Sequence, residues 1–188
     1  MPLEGKRIIL RGLQKEDLQH QLLIRNNTDG QGIARNLPPV FTYEELEKAF
    51  NKKEFTIDHK FAAFTIIEKE TNEYVGQISY TSYQPRISAE IGILIDENYW
   101  GKGYGYEAHE ILLEFLFYRL GMRMIMWRTW EDNEGSWKLA QKSGYTITSR
   151  VRESIFINGK VSDLLRLQIL RDEYFEKHPE LQDNLPKL

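Results

Sequence analysis

Apolar and polar positions along this chain follow two rhythms, and the change from one to the other marks its elements. "RIILRGL" (residues 7–13) is short, apolar and β-branched, which predicts a strand. "QKEDLQHQLLIRNN" follows with Leu18, Leu22 and Arg25 on one face, a helix that fades into "NTDGQG". Pro38 and Pro39 mark a break, and Thr42 with Glu45 at the third position predicts a capped helix over "YEELEKAFNKK". "KFAAFTIIEK" and "EYVGQISYTSY" read as hairpin strands joined by the polar turn "ETNE". A fourth strand, "ISAEIGILID" (87–96), comes after Pro85.

The rhythm then becomes helical. Ala108, Ile111, Leu112, Phe115 and Leu116 recur at helix spacing over 104–120, and Gly121 is a stop. Leu113, Phe117 and Leu120 add a second stripe, so this helix is expected to be covered on more than one side. "MRMIMWRTW" is a strand and "NEGSWKLAQKSG" a short helix ending at Gly144. The stretch 145–170 is a hairpin turning at Asn158-Gly159. Together these elements predict an α+β domain with a mixed, mostly antiparallel sheet. One strand–helix–strand unit, 90–128, places two strands parallel. A single domain over 1–176 is expected, with 177–188 a polar tail.

Composition narrows the partners. A length of 188 residues suits one sizeable core, and 41% apolar with 28% charged residues is that of a folded soluble domain. A formal charge of -3 disfavours nucleic acid as a partner. The absence of cysteine excludes disulfides, thiolate metal sites and a cysteine nucleophile. The N-terminus lacks a signal-peptide core and no apolar run reaches the ~20 residues of a membrane span, so no membrane partner and a cytoplasmic location are expected.

The unusual feature is "ENYWGKGYGYEA", with Gly101, Gly103 and Gly105 at the mouth of the long helix and Lys102 between them. A flexible surface turn is the plain reading. A helix N-terminus carries partial positive charge and unpaired N–H groups that an anion can reach through glycines, which points instead to a phosphate site. Walker A fails, because Gly103 follows Lys102 where Ser or Thr is needed. Gly103-x-Gly105-x-x-Ala108 with Glu131 satisfies a dinucleotide fingerprint. About seven residues separate it from the preceding strand, however, and the hairpin-rich surroundings lack repeated βαβ units.

"AEIGILIDENYWGKGYGYEA" followed by "NEGSWKLAQKSGY" resembles the GNAT family of acetyl-coenzyme A-dependent N-acetyltransferases, in particular its RimJ/RimL-like branch, across most of the chain. The wider family reads Gln/Arg-x-x-Gly-x-Gly/Ala in the loop, and Trp100 holds the first place as in this branch. The resemblance implies a twisted sheet with helices on both faces, splayed between strands 4 and 5. It also implies acetyl-CoA as cosubstrate, with no metal. Loop amides of Gly101, Lys102, Gly103, Tyr104, Gly105 and Tyr106 would hold the pyrophosphate, and Ile93, Leu94 and Ile95 would offer backbone groups to the pantetheine. An N–H near Leu94 would face the thioester oxygen, a role worth ~3 kcal/mol. Asn133 would bind the pantetheine arm, or merely cap its helix.

The implied reaction is direct attack of a neutral amine on the thioester in a ternary complex. The family's usual acid, a tyrosine, falls at Ala140; Ser136 takes its place in the RimJ/RimL-like branch, or is only a first-turn residue. Glu90 and Glu153 are the candidate bases, unless either pairs with Arg86, Arg150 or Arg152. His109, flanked by Glu107 and Glu110, is expected on a solvated face. An α-amine with pKa near 8 costs ~1.4 kcal/mol to deprotonate at pH 7, against about 4.6 for a lysine-like amine. Lacking an unambiguous base, the chain is read as acetylating a protein N-terminal α-amine. The alternatives are a polyamine or aminoglycoside acceptor, acetyl-CoA binding without turnover, and a dinucleotide oxidoreductase. The hairpin and tail are compatible with a homodimer.

Overall fold

The computed structural model describes residues 2–27, 41–52, 61–157 and 159–182. Its strands are β1 (Leu3–Glu4), β2 (Ile8–Gly12), β3 (Ala62–Glu68), β4 (Tyr74–Gln84), β5 (Ser88–Ile95), β6 (Met124–Trp130), β7 (Thr146–Ile157) and β8 (Lys160–Leu170). They form one sheet in the order β1-β2-β3-β4-β5-β6-β8-β7. Neighbours are antiparallel except β5 and β6, which are joined by a helical crossover and run parallel. The mixed, mostly antiparallel sheet expected from the sequence is therefore present. A single parallel pair among the described residues does not make the doubly wound sheet that a dinucleotide fold needs.

Alternation along the strands sends side chains to two helical layers. Phe64 and Ile66 face α3 (Tyr104–Glu114), whose Ala108, Leu112 and Leu113 are fully buried in the main core. Thr65 and Ile67 face α1 (Asp17–Asn26) on the other side, where Ile67 packs with Ile24 and Tyr74. Burial alone would raise the pKa of Asp17 there. The Arg11 guanidinium, the Gln14 N–H and the Thr65 hydroxyl outweigh that effect and hold the carboxyl below its usual range. α2 (Tyr43–Asn51) begins in the capping box predicted for it: Thr42 Oγ1 accepts from the Glu45 N–H at 3.2 Å, and the Thr42 N–H donates to Glu45 at 2.8 Å. The Pro38-Pro39 break and Asn158 of the hairpin turn lie outside the described residues.

Three features depart from the sequence expectation. The long helix becomes a wider turn over Phe115–Arg119, with Leu120 N–H bonded to Phe115 O. This geometry turns both Leu116 and Phe117 inward. After β8 the chain forms α5 (Arg171–Lys177), which buries Tyr174 and Phe175, and a further turn, α6 (Pro179–Gln182), whose Leu181 packs on the core. β1 adds a short strand beside β2.

His109 is a correction. It is fully buried, not solvated, because α3 is covered on a second side by α4 (Glu134–Ser143) and by Tyr145 just before β7. Its Nδ1 lies 2.9 Å from Ser143 Oγ and its Nε2 lies 3.2 Å from the Tyr145 hydroxyl. The ring meets that of Trp127 edge-on, with centroids 5.0 Å apart. Burial pushes its pKa below the ordinary 6.5, and the nearby Glu110 only partly offsets this. The unfolded chain therefore binds a proton that the folded chain refuses. Stability is expected to fall as pH drops below about 6.5, by up to ~1.4 kcal/mol per pH unit. Denaturant melts between pH 5 and 7 should show that slope, and His109→Gln should flatten it. An equal slope in the variant would place the titration elsewhere.

Candidate active site

β5 and β6 part company midway. Their pairing runs from Ser88 with Met124 to Ile91 with Trp127 and then stops, although β5 continues to Ile95 and β6 to Trp130. Beyond that point β5 stays with β4 (Gln77 with Leu94) and β6 stays with β8 (Trp130 with Leu164). These are the fourth and fifth strands of the sequence reading, β1 being additional. The divergence opens a cleft of about 270 Å³, lined among others by Glu90, Ile93, Trp127, Arg128, Asn133 and Ser136.

Strand parity decides which amides face this gap. The Asp96 N–H donates to Val75 O at 2.9 Å, and the ladder between β4 and β5 runs without a shift from Ile95 to Glu90. Backbone groups on one edge recur every second residue. Leu94 therefore turns its N–H toward β4, as Asp96 does, and Ile93 turns its own toward the gap. This corrects the assignment of a gap-facing N–H to Leu94, whose side chain packs on the α1 side. The Ile95 carbonyl faces away from β4 and accepts from Trp100 Nε1 at 2.8 Å, which anchors the loop to the strand.

The glycine loop sits at the open end of the gap. Gly103 is the N-cap of α3 with φ +84°, a left-handed conformation that other residues resist. The first bond of the helix runs from the Glu107 N–H to Gly103 O, so the amides of Tyr104, Gly105 and Tyr106 precede any intrahelical acceptor. Gly101, Lys102 and Gly103 are exposed at this mouth. Gly105 lets the helix approach the sheet, since a Cβ there would stand 3.3 Å from Leu139 Cδ1 and 3.4 Å from Ile95 Cγ1. A backbone cradle with Lys102 beside it fits an anion such as a diphosphate.

Arg7 braces the glycine loop, a part that sequence reading missed. It donates to Glu107 from its main chain at 2.7 Å and from Nε at 2.8 Å, and Nη1 donates to the Lys102 carbonyl at 2.9 Å. Its guanidinium also covers the Tyr104 ring at 4.5 Å. These contacts span about a hundred positions of chain, so no local pattern announces them.

The two faces of the sheet meet in the cleft. On the helical side Asn133 caps α4, accepting from the Ser136 N–H at 3.3 Å, as its plainer reading required. Trp127 Nε1 donates to Ser136 Oγ at 2.9 Å. That bond occupies a lone pair of the hydroxyl and leaves its proton to donate into the cleft. Ala140, at the family's tyrosine position, is buried in the core. On the opposite face Glu90 lies 3.1 Å from Arg128; this partner was not among the arginines foreseen. Glu153 is exposed on β7 with φ +52°, its N–H bonded to Asp163, and does not line the cleft.

A family model for the acetyltransferase (GNAT) domain matches residues 7–146. The uncharacterized N-acetyltransferase p20 of Bacillus licheniformis is 30% identical over 112 residues, 59% of this chain and 63% of that protein. The spermidine N(1)-acetyltransferase of Vibrio cholerae is 25% identical over 175 residues, 92% of this chain and 98% of that protein. Among solved structures, the V. cholerae spermidine N-acetyltransferase in complex with CoA and spermine superposes with a TM-score of 0.81 at 24% identity. That match covers 91% of this chain and 99% of that one. These relatives are a spermidine N(1)-acetyltransferase and an N-acetyltransferase without an assigned acceptor; neither identifies the RimJ/RimL-like branch, so the assignment stops at the family. No helix among the described residues is long and apolar enough to cross a membrane.

Gly103→Ala tests the cradle. The strained φ and the 3.3 Å approach of a Cβ to Arg7 Nη2 should displace the loop amides, at a cost of about 1–2 kcal/mol. Calorimetry should show acetyl-CoA affinity reduced roughly tenfold, in line with that cost. Unchanged affinity would remove the loop from the binding site.

Proposed function

The chain belongs to the GNAT family of acetyl-CoA-dependent N-acetyltransferases, and from that premise we propose that its acceptor is an amine of low pKa, the α-amine of a protein or peptide N-terminus. The observation that carries this reading is the acid–base pairing inside the cleft. The one carboxylate among its described lining residues, Glu90, is already engaged by Arg128 at 3.1 Å. An α-amine needs little help to lose its proton, whereas a lysine-like amine costs about 3 kcal/mol more at pH 7. A polyamine would also bring further ammonium groups to a lining whose described residues offer no surplus negative charge. Acetyl-CoA supplies the activated acetyl group. Gly101, Lys102, Gly103, Tyr104, Gly105 and Tyr106 would hold its diphosphate, Ile93 and Ile95 would border its arm, and the Ile93 N–H would face the thioester oxygen.

In this reading Ser136 donates a hydrogen bond to the leaving thiolate, keeping its own proton, and Trp127 is a positioning residue that aims the hydroxyl. Glu90 receives the amine's proton, directly or through water. A polyamine acceptor is the second reading, favoured by the similarity to the V. cholerae spermidine N(1)-acetyltransferase over nearly its full length.

Thiol release separates the readings. Peptides with a free α-amine should release CoA, and the same peptides blocked at the α-amine but carrying lysine should not. Release with spermidine alone would establish the second reading, and binding without any release would leave a non-catalytic acetyl-CoA protein. Ser136→Ala should lower kcat by about ten- to a hundredfold, the loss expected for removing a hydrogen bond to a charged group worth ~1.5–3 kcal/mol. Trp127→Phe, which keeps the ring and loses the N–H, should lower it less. The double variant should be no slower than Ser136→Ala; additive losses would show that Trp127 supports the fold rather than the hydroxyl.

A further inference from the structure

The sheet face beside the cleft carries charge that acetyl transfer itself does not use. Arg128 of β6 and Arg166 of β8 are direct register partners. Their Cβ atoms therefore stand about 5 Å apart on one face, an arrangement in which like charges destabilise the pair. Neutralisation is incomplete. Glu90 serves Arg128, while the acids nearby, Glu131 and Asp163, are bound to Arg150 at 2.7 and 3.3 Å. Among the described residues no hydrogen bond or ion pair of the Arg166 guanidinium is found. Both arginines line a hollow of about 290 Å³ with Thr148 and Gln168, and this hollow shares Glu90, Trp127 and Arg128 with the cleft.

We infer that Arg128 and Arg166 form an anion subsite for the acceptor, which is a primary amine carrying a carboxylate or phosphate near its nitrogen. The planar guanidinium fork matches such oxyanions in a bidentate manner, and Gln168 adds a neutral donor. β5, β6 and β8 lie side by side at about 4.8 Å spacing, so an anion over the arginine pair sits within ~10 Å of a nitrogen beside Glu90. This inference rests on the cleft's being the transfer site and narrows the α-amine reading to acceptors such as an N-terminus followed by an acidic residue.

The test compares short peptides identical except for Glu or Gln at the second position, with an aminoalkyl phosphate and the matching alkylamine as the phosphate arm. Wild-type protein should show a KM at least about tenfold lower for the anionic member of one pair. Arg166→Gln should collapse that ratio toward one, and Arg166→Lys should restore part of it. Which pair shows the ratio tells carboxylate from phosphate. Equal KM values within both pairs, or a ratio indifferent to Arg166→Gln, would overturn the subsite while leaving the transferase reading intact. Calorimetry with the Glu peptide in the presence of CoA covers the remaining case. Binding that depends on Arg166 without thiol release would support the subsite and overturn the transfer reading, and no binding and no release would overturn both.

Discussion

The interruption of one strand pairing governs this molecule. β5 and β6 share hydrogen bonds for four residue pairs and then each keeps only its outer neighbour. Were the pairing to continue, the Ile93 amide would be consumed by the sheet and the faces carrying Glu90 and Ser136 would be sealed from each other. Because it ends at Ile91 and Trp127, a sheet that otherwise separates two helical layers is open at one point, and chemistry from both layers meets there.

The parts around the opening hold it in shape. Trp100 ties the loop to the Ile95 carbonyl, and Arg7 ties the loop and the first turn of α3 to β2 through Lys102 and Glu107. Glu107 in that first turn also places a negative charge where the helix dipole favours one. Behind β6, the buried His109 ring lies against Trp127, whose N–H reaches Ser136. Packing, dipole and hydrogen bonding thus converge on a short length of cleft, which is how a fold of modest size brings the amides of the glycine loop, the Ser136 hydroxyl and the Glu90 carboxylate to one opening.

Much of this was legible in the sequence because it is written locally. The capping box at Thr42 and Glu45, the αL stop at Gly144 and the glycines before α3 each depend on residues a few positions apart. The alternation that placed Glu90 with Leu94 on one face held as well. What failed was what depends on distant partners. His109 looks solvated beside two glutamates, yet Ser143 and Tyr145 cover it from 34 and 36 positions away. Arg7 reads as the first residue of a strand, and its role appears only when β2 meets α3. The Leu94 error had a different origin: the register that sets which amides face the gap depends on how β4 pairs with β5, and one step of register exchanges the two edges.

Backbone amide hydrogen exchange at Ile93 and Leu94, with and without acetyl-CoA, tests the central claim most directly. The Leu94 amide, directed into the ladder with β4, should be protected in the free protein and change little, while the Ile93 amide should gain protection when acetyl-CoA is added. Protection gained at Leu94 with Ile93 unchanged, or no change at either, would contradict a donor arm lying in the gap between β5 and β6.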